Sequence, residues 1–275
     1  MNWEPWTGCY KASDGCTFCY YYGPYSKRHG QNTVTKTGDF DKPIALTAKG
    51  SQRIPGGKIV ATCFASDFFI PEADEWRIEA WSMIKRRPDL DFLILTKRID
   101  RFPVSLPPDW DDGYDNVNIG CTVETQALAD YRLPLFLSYP IKRRFIACSP
   151  LLEQIDLTSY LTDCNPSSPL PGVPVQSSPL QDTPLPTSLI PCAHAPSKIE
   201  HVSVGGETGR EARECNYDWV LDIREQCSAA GVTFWFKNTG SLFRRNGTAQ
   251  RVNPYKQGSL AKELSIDILN GKKLF

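Results

Sequence analysis

The chain has 275 residues, 41% hydrophobic and 23% charged, with 31 basic and 31 acidic side chains and so no formal net charge. That is enough apolar content for one large core, and the balanced charge removes any global attraction to nucleic acid or anionic membranes. No stretch reaches the ~20 apolar residues of a membrane span, and the N-terminus lacks the basic-then-apolar pattern of a secretion signal, so the ten cysteines are expected to be reduced, in a cytoplasmic protein.

Strand-like and helix-like segments alternate along the chain. Asn2 to Gly8 reads as a short first strand leading into a loop that holds Cys9, Cys16 and Cys19. The apolar run Lys58 to Ala65 predicts a buried second strand ending at Ser66-Asp67. After Pro71, the residues Trp76, Ala80, Met83 and Ile84 recur at helical spacing, and Glu72, Asp74 and Glu75 fill the first turn, where the helix dipole favours anions. Lys85-Arg86-Arg87 close that helix and Pro88 stops it. Asp91 to Thr96 is a third strand, ending in Lys97-Arg98, and Val117 to Val123 a fourth, ending at Glu124. The next helix carries Leu128, Tyr131 and Leu135 and is shortened or kinked by Pro134. Arg144 to Cys148 is a fifth strand, before Ser149, and His201 to Val204 a sixth, running into Gly205-Gly206-Glu207. Asn216 caps a helix with Trp219, Val220, Ile223 and Cys227, which Gly231 ends. Val232 to Phe236 is a seventh strand, before Lys237-Asn238.

Seven continuously apolar strands separated by helical or long connections predict an α/β chain folded as a parallel (βα) barrel, complete or partial, in one domain over residues 1–275. Thr162 to Lys198, with nine prolines and almost no charge, breaks the pattern and is expected to be a flexible insertion in which Cys164, Cys192 and His194 hold no metal. The basic runs Lys27 to His29, Lys85 to Arg87 and Lys142 to Arg144 read as solvated surface. In a parallel barrel the chemistry collects at the carboxyl ends of the strands. There this sequence places Ser66-Asp67, Lys97-Arg98, Glu124, Ser149, Glu207 and Lys237-Asn238. At least half of these are expected to line one pocket. The competing reading makes Asp67, Arg98 and Glu207 a structural ion-pair network around the mouth.

The three cysteines of the first loop stand in the spacing C-x6-C-x2-C, with Phe18 just before the last. Three converging thiolates suit a soft metal centre, either zinc or an iron–sulfur cluster. Structural zinc normally closes its coordination with four protein ligands. A four-iron cluster held by three cysteines keeps one iron open to a small molecule.

A cysteine loop after a first strand, with an aromatic residue before the last cysteine, resembles the radical S-adenosylmethionine (radical SAM) enzymes. In those, three cysteines hold a [4Fe-4S] cluster whose open iron binds the amino and carboxylate groups of SAM, and reductive cleavage yields a 5′-deoxyadenosyl radical. Their usual spacing is C-x3-C-x2-C, so the first gap here is longer. An ordered set covering nearly the whole chain is similar to the phage-associated three-Cys-motif family, a radical-SAM-like group whose activity is not established. The set comprises Trp6-Thr-Gly-Cys9, Gly15-Cys16 with Cys19-Tyr20, Ser66-Asp67-x-Phe69, Ile94 to Arg98, Asn118-x-Gly120 with Glu124, Val204-Gly-Gly-Glu207, Gln226-Cys227 and Phe236-Lys237. The chain departs from that family at Ala147-Cys148-Ser149-Pro150-Leu151, where relatives have Ser-Glu-Pro-Leu-Leu, and at Phe236-Lys237-Asn238-Thr239-Gly240, where they have Phe-Lys-Gln-Trp-Gly.

The resemblance implies that Cys9, Cys16 and Cys19 are cluster ligands and that the backbone near Phe18 meets the adenine. It implies Ser66 and Asp67 at the SAM amino group, Lys97 or Arg98 at its carboxylate, Glu124 at the ribose hydroxyls, and Glu207 and Lys237 in a substrate pocket. The implied cofactors are a [4Fe-4S] cluster and SAM, with an electron donor as partner and a nucleobase, nucleic acid or protein side chain as substrate. Tyr20-Tyr21-Tyr22 and Tyr25 beside Lys27-Arg28 are of a kind that stacks bases, although packing around the loop is the preferred reading. The alternative is a zinc- or cluster-binding barrel acting as a binding module without radical chemistry, with His29 or another cysteine as fourth ligand. No Gly-x-Ser-x-Gly elbow, Walker loop or His-Glu-x-x-His is present.

Overall fold

The computed structural model describes residues 1–22, 33–162 and 198–269. Nearly all of the expected insertion, together with Tyr25, Lys27, Arg28 and His29, lies outside the described residues. The chain runs β1 (Asn2–Trp3), β2 (Trp6–Thr7), β3 (Thr35–Lys36), β4 (Ile59–Thr62), α1 (Asp74–Lys85), β5 (Asp91–Thr96), β6 (Val117–Thr122), α2 (Gln126–Ser138), β7 (Arg143–Cys148), α3 (Thr158–Leu161), β8 (Ile199–Gly205), β9 (Glu214–Asn216), α4 (Tyr217–Ala230), β10 (Thr233–Asn238), β11 (Leu242–Arg245), β12 (Thr248–Arg251) and α5 (Gln257–Glu263).

The apolar runs make one seven-stranded sheet in the order β1-β4-β5-β6-β7-β8-β10, with every pairing parallel. Ser66, after β4, and Lys237, in β10, would stand ~24 Å apart on a flat sheet of this order, yet both line one cavity. The sheet is therefore curled. It is a partial barrel and not a complete one, because among the described residues β1 and β10 are its unjoined edges. The free edge of β10 is occupied by the chain's own C-terminal segment. Phe234 and Ile268 exchange backbone hydrogen bonds of 2.8 and 2.9 Å, and Asp267 accepts from the Phe236 amide at 2.9 Å. Those are the groups that closure would need.

Alternation along each strand sorts side chains to two faces. Phe92, Ile94, Ile119, Cys121, Ile146, Cys148, Val202, Val204, Phe234 and Phe236 join the main core with residues of the flanking helices. Leu93, Phe145 and Ala147 form a smaller cluster on the concave face, with Leu95 against it. Gly120 sits in register between Leu95 and Phe145, and a Cβ there would overlap the Phe145 ring. The glycine is the space into which that ring packs.

The expected first strand is split. Pro5, which lacks an N–H and fixes φ, separates β1 from β2, and β2 pairs antiparallel with β3. Sequence reading also omits a small three-stranded sheet of order β12-β11-β9. The helix predicted around Pro134 continues through it to Ser138. Asn216 accepts from the Asp218 amide at 3.1 Å to cap α4, and Gly231 ends it at φ +66°. Two of the basic runs expected at the surface each hide an arginine. Arg87 is buried and donates to the carbonyls of Pro43 and Ile54 and to Asp89, and Arg144 is buried and donates to the Tyr139 carbonyl at 2.6 Å. A guanidinium carries five donors in a planar fork, so it can satisfy the carbonyl ends of several loops at once. No helix among the described residues is long and apolar enough to cross a membrane.

Gly120→Ala should lower stability by about 1–3 kcal/mol, the usual cost of overpacking a filled core, as measured by urea denaturation. An unchanged midpoint would contradict the packing of Phe145 over β6.

Candidate functional site

The cysteine loop is tied to the carboxyl end of the sheet at successive points. Gly8 turns the chain into the loop at φ +100°, where a Cβ would overlap the Thr33 carbonyl, so this position needs glycine. The Ser66 hydroxyl, just past β4, donates to the Gly8 carbonyl. Arg98, past β5, donates to the Tyr10 carbonyl at 2.7 Å and lies over the Tyr10 ring at 4.7 Å. Ser13 donates to Glu124, past β6, at 2.9 Å. Arg213, paired with Glu207 past β8, donates to the Asp14 carbonyl at 2.8 Å.

The charged anchors, Arg98, Glu124 and Arg213, are each charge-compensated. Asp67 accepts from the Thr96 hydroxyl at 2.7 Å, from the Phe69 and Lys97 amides at 3.0 and 2.9 Å, and from Arg98 at 3.2 Å. Burial alone would lower the Arg98 pKa, but Asp67 and its neighbours outweigh it and raise it, which keeps the guanidinium charged. Glu124 has no exposed surface; one oxygen takes the Lys97 ammonium and Ser13, and the other takes Arg132 at 2.8 Å. Burial would raise its pKa, but Lys97 and then Arg132 outweigh that and hold the carboxyl below its usual range. Gly15 presses directly on the Glu124 side chain, with no room for a Cβ. Glu207 accepts from the Arg213 side chain at 2.7 and 2.9 Å and from its amide at 2.9 Å.

Between loop and sheet lies a cavity of about 250 Å³. Its walls include Cys9, Cys16 and Cys19, and also Phe18, Ser66, Asp67, Lys97, Arg98, Ser149, Glu207, Lys237 and Asn238. Of the polar strand-end residues singled out in the sequence, only Glu124 is off the wall; it lies buried under the loop, paired with Lys97 and Arg132. The two sequence readings thus merge, since Asp67, Arg98 and Glu207 both line the cavity and form ion pairs. Tyr21 is buried against the loop, while Tyr20 is exposed and its hydroxyl donates to the Phe64 carbonyl at 2.6 Å.

All cysteines among the described residues are free. Burial pushes the Cys9 thiol up to about 12 and raises that of Cys19. The Ala12 amide points at the Cys16 sulfur at 3.5 Å. Among the described residues no group of three or more His, Cys, Asp or Glu stands close enough to hold a metal ion.

Three residues of the site are missed by sequence reading. Cys63 lines the cavity at φ +60°, an uncommon backbone state for a residue with a side chain. Arg132 faces Glu124 from the middle of α2, and Arg213 comes from a charged surface run; nothing in the local sequence distinguishes either from an ordinary surface arginine.

A family described as "Protein of unknown function (DUF5131)" matches residues 1–269. The chain belongs to this family. No curated protein and no solved structure matches it. In this DUF5131 chain every residue of the cavity wall falls within the matched span.

Because pairing holds Glu124 below its unfolded pKa of ~4.3, the stability it contributes is complete above that value and is lost as pH falls through the lower folded value. The stability gap between wild type and Glu124→Gln in urea denaturation should therefore narrow from pH ~6 to pH ~3. A gap that stays constant would contradict the ion-paired carboxylate.

Proposed function

We propose that Cys9, Cys16 and Cys19 hold a [4Fe-4S] cluster, that the cavity they line binds SAM, and that the protein is a radical-SAM-like enzyme related to the phage-associated three-Cys-motif group. The observation that carries this reading is the convergence of three free thiols from one loop on a cavity at the carboxyl end of a parallel sheet. The donor set suits a soft metal centre. A structural zinc site normally closes with four protein ligands, whereas three cysteines suffice for a four-iron cluster with one iron open, which is the reason for preferring the cluster to a single ion.

When bound, the cluster would supply the electron for reductive cleavage of SAM, and the chain would bind, orient and exclude competitors. The Ala12 amide points at the Cys16 sulfur at 3.5 Å. Cys9 and Cys19, whose thiols burial shifts upward, would have to give up their protons to ligate the cluster. Phe18 is 38% exposed at the wall with Arg213 over its ring at 5.4 Å, and the backbone beside it would meet the adenine. Lys97 and Arg98 serve first as anchors of the loop, through Glu124 and Asp67. The substrate of this reading is a nucleobase, nucleic acid or protein side chain, and the partner is an electron donor.

Anaerobic reconstitution with iron and sulfide should load ~4 irons per chain into wild type and far fewer into Cys16→Ala. Dithionite with SAM should then release 5′-deoxyadenosine. Equal iron in both proteins would sink the cluster, and iron without SAM cleavage would sink the enzymatic half of the reading.

A further inference from the structure

The cavity has two unlike sides. Along β4, β5 and β6 the cations on its wall are already neutralised, Arg98 by Asp67 at 3.2 Å and Lys97 by Glu124. At the ends of β7 and β10 the wall carries Ser149, Lys237 and Asn238, and the carboxylate past β8 between them, Glu207, is taken by Arg213 at 2.7 Å. Among the described residues no carboxylate pairs with Lys237, and neither the Ser149 hydroxyl nor the Asn238 amide nitrogen has a partner.

Their placement is specific. Asn238 accepts from the Gly240 amide at 2.9 Å through its side-chain oxygen, which assigns the nitrogen as the end left over. That nitrogen and the Ser149 oxygen each lie 3.0 Å from where a Cβ on Gly205 would sit, so the glycine keeps open the space the two donors share. Lys237 occupies the extra position of a β-bulge: Phe236 pairs with Val204 and Asn238 with Gly205, leaving Lys237 without a register partner. Bulges re-aim side chains near sites, and this one puts a lysine on the cavity wall. Its side chain is reached by water through the mouth, yet the walls desolvate it enough to lower its pKa, with no anion to compensate. Lys237 is exposed, so its ammonium is free to meet an incoming anion together with the Ser149 hydroxyl and the Asn238 amide, and such charge-assisted hydrogen bonds are strong.

We infer that Ser149, Lys237 and Asn238 form an anion-binding subsite that receives a carboxylate or phosphate group of the substrate, in the same cavity that the three thiols line. As a substrate subsite it rests on the proposed enzymatic reading; as an anion site it stands without the cluster.

The test is titration of inorganic phosphate and of acetate into the whole chain, followed by NMR line broadening, both as purified and after reconstitution with iron and sulfide. At least one anion should saturate wild type, and which one does distinguishes phosphate from carboxylate. Lys237→Met should weaken that binding at least ~10-fold, Asn238→Asp should weaken it by placing a like charge in the subsite, and Lys237→Arg should retain it. Retention in the Arg variant, with unchanged thermal melting of the Met variant, separates loss of the charge from loss of the fold. No saturable binding of either anion, or equal binding by wild type and Lys237→Met, overturns the inference. Anion binding without cluster assembly would count against the cluster alone, and cluster assembly without anion binding against the subsite alone.

Discussion

A carboxylate with no exposed surface, Glu124, joins the parts of this site that must not move relative to one another. It takes a cation from the end of β5, a guanidinium from α2 and a hydroxyl from the cysteine loop, while Gly15 packs against it. Removing one partner of such a buried pair typically costs 3–5 kcal/mol, because the other charge is left uncompensated. The geometry of the three thiols therefore depends on an interaction that faces neither ligand nor solvent.

The same arrangement divides the strand ends by task. Ser66, Arg98, Glu124 and the Glu207–Arg213 pair each hold a point of the loop, so these charges are used up in building the wall. The Ser149 hydroxyl, the Lys237 ammonium and the Asn238 amide nitrogen, at the ends of β7 and β10, hold no point of the loop. A curled sheet makes this possible, since it brings the end of β10 round to face the end of β4 and encloses one cavity between anchors and unused donors.

Much of this was legible in the sequence, for physical reasons that also mark where legibility stops. Strands buried on both faces are continuously apolar, so the seven runs stand out and their polar ends locate the cavity. Closure is not local: whether β10 meets β1 or is capped by Ile268 and Asp267 depends on where the C-terminal segment lies. A glutamate after a strand looks the same whether or not an arginine on the next helix pairs with it, so the Glu124–Arg132 pair has no local signature. The bulge at Lys237 leaves no trace in composition, and Arg87 and Arg144 read as surface because a buried guanidinium bonded to carbonyls has no sequence signature.

The proposal that the loop's three thiols carry a cluster with one iron left for SAM is tested most directly by electron paramagnetic resonance of the dithionite-reduced, reconstituted protein with and without SAM. A reduced-cluster signal should appear that shifts when SAM binds the open iron and that is absent from Cys9→Ala, Cys16→Ala and Cys19→Ala. A signal unchanged by SAM, or one that survives loss of any of the three cysteines, would contradict it.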